Sequence, residues 1–122
     1  MVAGYLGPLG RMNMVKPQIL SREVVCETIG AWGKGAISDE EMHLWATNNY
    51  FPLHQQVAPG HPEHVALAIG IALTEFECTT PPYQFGRDVA LRAIALIDAS
   101  ASEFASKKAA FVEAVQGAKH AP

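Results

Sequence analysis

The chain has 122 residues, and 9 Lys and Arg against 12 Asp and Glu give a formal charge of −3. Apolar residues make up 49% and charged residues 17%, the latter below the ~25% usual in a globular domain. These figures exclude a disordered chain, because enough apolar side chain is present to offset the entropy of ordering. They also exclude collagen and disulfide-scaffold classes, and they argue against a nucleic-acid binder that works by net positive charge. One domain is expected at this length, burying roughly two thirds of the surface its unfolded chain would expose. Composition describes an architecture here and names no activity.

The opening MVAGYLGPLGR has no basic start followed by an apolar run and a small-residue cleavage pattern, so it does not read as a secretory signal. Residues 1–18 are expected to form a flexible leader, with Met12 and Met14 as alternative starts. No apolar span approaches the ~20 residues of a membrane helix. Cys26 and Cys78 form no C-x-x-C pair, so zinc-ribbon and thioredoxin readings fail. Two reduced thiols in a cytoplasmic protein are expected, with Cys26 behaving as a small apolar residue among Val24, Val25 and Ile29.

No convincing alternation of strand type occurs, and helical spacing accounts for most apolar positions, which predicts an all-α fold. A first helix should start at the Ser21 cap, carry Glu23 in its first turn and turn Val25, Ile29 and Trp32 inward. Gly33 and Gly35 should end it. Ser38 and Glu41 have the spacing of a capping box, which opens a second helix with Met42 and Trp45 on its inner face and Leu44 and Ala46 beside them. Asn48, Asn49 and Pro52 close that helix, and residues 50–61 read as a loop.

Pro62 suits the first position of a third helix. From Val65 to Leu73 that helix is VALAIGIAL, without a polar side chain, so it should be central and buried on most sides, Ile69 and Leu73 fully so. Glu75, Glu77 and then Pro81-Pro82 bring it out and stop it.

From Ala90 through Ile94, Ile97, Ala101, Phe104, Lys108 and Phe111 to Val115 the spacing alternates four and three. This favours one long helix over 87–117, roughly 45 Å at 1.5 Å per residue. The alternative is a new start at Ser100, which has Glu103 at capping-box spacing. A helix of that length would overhang a domain whose radius of gyration is about 14 Å. Covering Phe104, Phe111 and Val115 then calls for a two-fold homodimer through the C-terminal helix. The expected organisation is a compact bundle of four or five helices over 19–118, with a disordered tail at 119–122.

Among constellations that could carry chemistry, Glu40 and His43 have Glu-x-x-His spacing, and His61 and His64 are also three apart. Together the four could form a mixed oxygen and nitrogen metal site. Only one Glu-x-x-His is present and H-E-x-x-H is absent, so unligated surface histidines are the competing reading. No G-x-S-x-G elbow occurs. Gly30 to Gly35 spells G-A-W-G-K-G after a helix, which is not a dinucleotide loop. A helix-turn-helix reading fails because Asp39, Glu40 and Glu41 at the front of the second helix would meet phosphates. Trp32 and Trp45 fit core packing. The loop aromatics Tyr50, Phe51, Tyr83 and Phe85 are candidates for a partner-binding patch.

The run Gly35-Ala36-Ile37-Ser38-Asp39-Glu40-Glu41, followed by Leu44-Trp45-Ala46, resembles a phrase of small helical bacterial immunity-type proteins. The resemblance spans residues 21–51. It implies a small bacterial protein that binds and blocks a partner toxin without catalysis of its own, and it carries over no binding residue.

The leading expectation is therefore a non-enzymatic, cytoplasmic protein-interaction domain with an unknown protein partner and no cofactor, nucleic acid or membrane. The rival is a small-ligand or metal-assisted enzyme using His43, His61 and His64.

Overall fold

A computed structural model of the chain describes residues 19–50, 56–57 and 60–119. The expected leader, residues 1–18, lies outside the described residues, as do positions 120–122 of the expected tail; Lys119 belongs to the last helix. The elements are β1 (Ile19–Leu20), α1 (Arg22–Gly33), α2 (Asp39–Tyr50), β2 (Gln56–Val57), α3 (Glu63–Cys78), α4 (Val89–Ile97) and α5 (Phe104–Lys119). Among the described residues the fold is an all-α bundle of five helices. One parallel pairing of two residues each, Ile19 with Gln56 and Leu20 with Val57, adds to it a feature that the sequence did not announce.

Local chemistry starts the first two helices and stops the first as expected, whereas Asn48 and Asn49 lie within the second. Ser21 Oγ accepts the Val24 N–H at 3.0 Å, and Gly35, at φ +81°, takes the left-handed conformation that ends α1. Ser38 and Glu41 close a reciprocal capping box. The Ser38 N–H donates to Glu41 Oε1 at 2.8 Å, and the Glu41 N–H donates to Ser38 Oγ at 3.0 Å. Pro62 is the cap of α3, one position before its expected place inside the helix.

Helix α3 packs against all four other helices. Val65, Ala68, Ile69, Ala72, Leu73 and Phe76 are buried, Ile69 and Leu73 completely. Its apolar run is not enclosed on every side, because Leu67 is 52% exposed. Helices α1 and α4 run antiparallel: the Arg22 side chain at the start of α1 lies 3.9 Å from Asp98 at the end of α4, and Gly33 at the end of α1 abuts Ala90 at the start of α4.

One continuous helix over 87–117 is not what forms. The chain turns at residues 98–103, between α4 and α5. The Asp98 N–H donates to the Ile94 carbonyl at 2.9 Å and the Ala99 N–H to the Leu96 carbonyl at 3.2 Å, which closes α4, and Glu103 reaches back to the Ser100 N–H at 3.2 Å and the Ser100 hydroxyl at 3.1 Å. Local hydrogen bonding therefore overrides an unbroken apolar phase. Ala101 and Lys108, both on the expected stripe, are exposed, whereas Phe111 and Val115 are fully buried within the chain as α5 folds back on α4 and α3. Among the described residues Phe111 and Val115 leave no overhang for a second copy to cover, so the C-terminal helix by itself does not call for a dimer.

Candidate functional site

The side chains singled out in the sequence have structural work. His43 Nε2 donates to the Glu77 carbonyl at 3.0 Å, tying the start of α2 to the end of α3. His61 Nε2 accepts the Arg22 N–H at 3.2 Å, at the first residue of α1. His64 Nε2 donates to the Ala99 carbonyl at 3.1 Å, where the chain leaves α4. Glu40 is exposed on α2. The four do not converge. Among the described residues no three His, Cys, Asp or Glu side chains are grouped to hold a metal ion. Of the Glu-x-x-His pair only His43 makes a helix-to-helix tie, while Glu40 faces solvent.

Tyr83 and Phe85 turn inward as well, 9% and 3% exposed, which leaves little of either ring at the surface for the expected partner patch. They stack on one another at 4.8 Å and meet Trp32 edge-on at 5.7 and 5.9 Å, with Phe76 completing the cluster. The loop is drawn inward by hydrogen bonds. Asp39 accepts the Trp32 indole N–H at 2.7 Å and the Tyr83 N–H at 2.9 Å, and the Tyr83 hydroxyl donates to the Phe76 carbonyl at 2.8 Å. Arg87 donates to the Trp32 and Ile37 carbonyls and lies 3.5 Å from Asp39. Burial, with Asp39 nearby, pushes the Tyr83 phenol well above its ordinary range. The Tyr50 side chain and Phe51 lie outside the described residues.

The segment that resembles immunity-type proteins is also accounted for by folding. Ile37, Trp45 and Ala46 are in the core, and Ser38 and Glu41 are the capping box.

Chemistry by thiol has little footing. Cys26 and Cys78 are free, the first half-buried and the second exposed. Burial pushes the Cys26 thiol up to about 11, which keeps it protonated and unreactive at neutral pH.

What the surface does carry is a hollow between α1 and α4. The helices touch closely at one point, since a Cβ at Gly33 would stand 2.6 Å from the Ala90 Cβ. Around it open two adjoining depressions of about 250 and 480 Å³, which share Gly30, Lys34 and Ile94. Cys26, Glu27 and Ala31 line the larger one, and Arg87, Ala90 and Leu91 the smaller. Leu91 stands on the rim 73% exposed, more than Leu67 at 52% or Leu44 at 42%. A further depression, along α5 from Ala109 to Gly117, is lined by one helix alone.

No family model, curated protein or solved structure matches this chain.

The sequence pointed past this face. Ala90 and Ile94 stood out on the apolar stripe, while Leu91 next to them belongs to the outward side of α4. The close approach of Gly33 to Ala90 depends on which helices pair, and no local pattern encodes that. Among the described residues no helix is long and apolar enough to cross a membrane.

Proposed function

We propose that this chain is a small, non-enzymatic protein-interaction domain that binds through the α1–α4 face, as a binding or adaptor protein of bacterial type. The observation that carries the reading is Leu91, 73% exposed, on the rim of an apolar hollow. A large aliphatic side chain beside a concave apolar surface is the pattern of a contact that excludes water in a complex. The dispersal of His43, His61 and His64 into separate backbone contacts supports the same reading over a metal-assisted enzyme. A toxin-blocking role is the form of this function that the 35–46 resemblance implies. A cytoplasmic setting belongs to the proposal, since an exposed thiol such as Cys78 persists in a reducing compartment.

The test places a photoreactive leucine analogue at position 91 and, as control, a photoreactive residue at position 107, which is exposed on α5. Irradiation in the source cell should give one adduct of defined mass from position 91 and none from position 107. Equal adducts from both positions, or none from either, would contradict the proposal.

A further inference from the structure

We infer that the occupant of the α1–α4 hollow is a second copy of this chain, docked about a two-fold axis that crosses α1 between Gly30 and Ala31. This rests on the interaction reading above and names its partner.

Glu27 and Lys34 both line the larger hollow. They are seven residues apart, two helical turns or about 10 Å along α1. Both are exposed, and neither has an ion-pair partner among the described residues. A two-fold axis midway between them sets α1 against its copy in antiparallel sense, so that Lys34 of each chain meets Glu27 of the other. One face then satisfies both charges twice, which is the self-complementarity an isologous interface needs.

Shape agrees with charge. The axis falls at Gly30 and Ala31, where side chains are absent or small and two helices can come close. On the same face Leu91 projects beside the depression lined by Gly30, Gly33 and Ile94. A projection and a hollow on one surface are matched by symmetry, Leu91 of each copy entering the hollow of the other. Covering Leu91 removes from water the most exposed large apolar side chain among the described residues.

Sedimentation velocity on the purified full chain, at low salt so that the charge pairs are not screened, decides the matter. The wild type should pass from monomer to dimer as concentration rises through the micromolar range. Lys34→Glu and Glu27→Lys should each weaken the dimer about tenfold or more, because each variant sets like charges against one another at both contacts. Mixing the two variants should restore pairing, since both contacts in the mixed dimer are then opposite in sign. Circular dichroism on the exposed-site variants checks that each is folded. A wild type that stays monomeric at every concentration would overturn the inference, as would a dimer indifferent to both reversals. Failure here is distinct from failure of the interaction reading: a monomer that still cross-links from position 91 to a different protein removes only the second copy.

Discussion

His64 Nε2, in the first turn of α3, donates to the carbonyl oxygen of Ala99, 3.1 Å away and 35 residues on in sequence. The same imidazole meets the Phe104 ring edge-on at 6.4 Å. One side chain therefore holds the chain just past α4 and the first turn of α5 to the central helix, at the place where the chain reverses.

His64→Ala should loosen this corner. The Ala99 carbonyl loses its donor and Phe104 loses a neighbour, for a cost of about 1–2 kcal/mol. Denaturant unfolding gives the magnitude, and hydrogen exchange should show lost protection near residues 99–107. Unchanged stability together with unchanged exchange would show that the corner stands without His64.

Helix α3 offers an internal comparison. Leu73 is fully buried and Leu67 is 52% exposed, on the same helix. Leu73→Ala should cost about 2–5 kcal/mol, and Leu67→Ala about 0.5 kcal/mol or less. Equal losses would mean that α3 is not the centre of the bundle.

Gly30 and Gly33 should respond with opposite signs. A Cβ at Gly33 would collide with Ala90 at 2.6 Å, so Gly33→Ala should force α1 and α4 apart and lower the melting temperature. At Gly30 the nearest atom, Ile94 Cδ1, is 3.8 Å away, an ordinary contact. Gly30→Ala should therefore gain up to about 1 kcal/mol from helix propensity, while partly filling the hollow and weakening association. Thermal melts read the first effect and sedimentation the second.

How much of this was legible in the sequence depends on the range of the forces involved. The starts of α1 and α2 follow from Ser21, Ser38 and Glu41 and their immediate neighbours, and the centrality of α3 follows from its apolar run. The reversal at 98–103 was written in Ser100 and Glu103, but the apolar phase pointed the other way. Periodicity cannot distinguish a continuing helix from one that turns and buries the same stripe within the chain. Tyr83 and Phe85 looked exposed because they follow Pro81 and Pro82 in a loop. Their burial depends on Asp39 and Trp32, more than 40 residues away, which no local pattern reports. The α1–α4 hollow was invisible for the same reason, since it exists only where two distant helices meet.

The two thiols should separate cleanly. With its thiol at about 11, Cys26 is only about a thousandth ionised at pH 8 and should resist alkylation, whereas exposed Cys78 should react. The raised value also carries a stability effect. The protonated thiol favours the fold below pH 9.0, its ordinary value, and the contribution is lost as pH rises through about 11. Peptide mass mapping after brief treatment with iodoacetamide should find the label on residue 78. Label on Cys26 at the same rate would contradict the burial of its sulfur.

Carbene footprinting of Leu44, Leu67 and Leu91 tests most directly the claim that the α1–α4 face is the working surface. All three are exposed in the single chain, so each serves as a control for the others. Labelling of the protein in its cellular assembly, compared with dilute purified protein, should fall at Leu91 alone and stay constant at Leu44 and Leu67. Undiminished labelling at Leu91, or protection at Leu44 or Leu67 in its place, would contradict the claim.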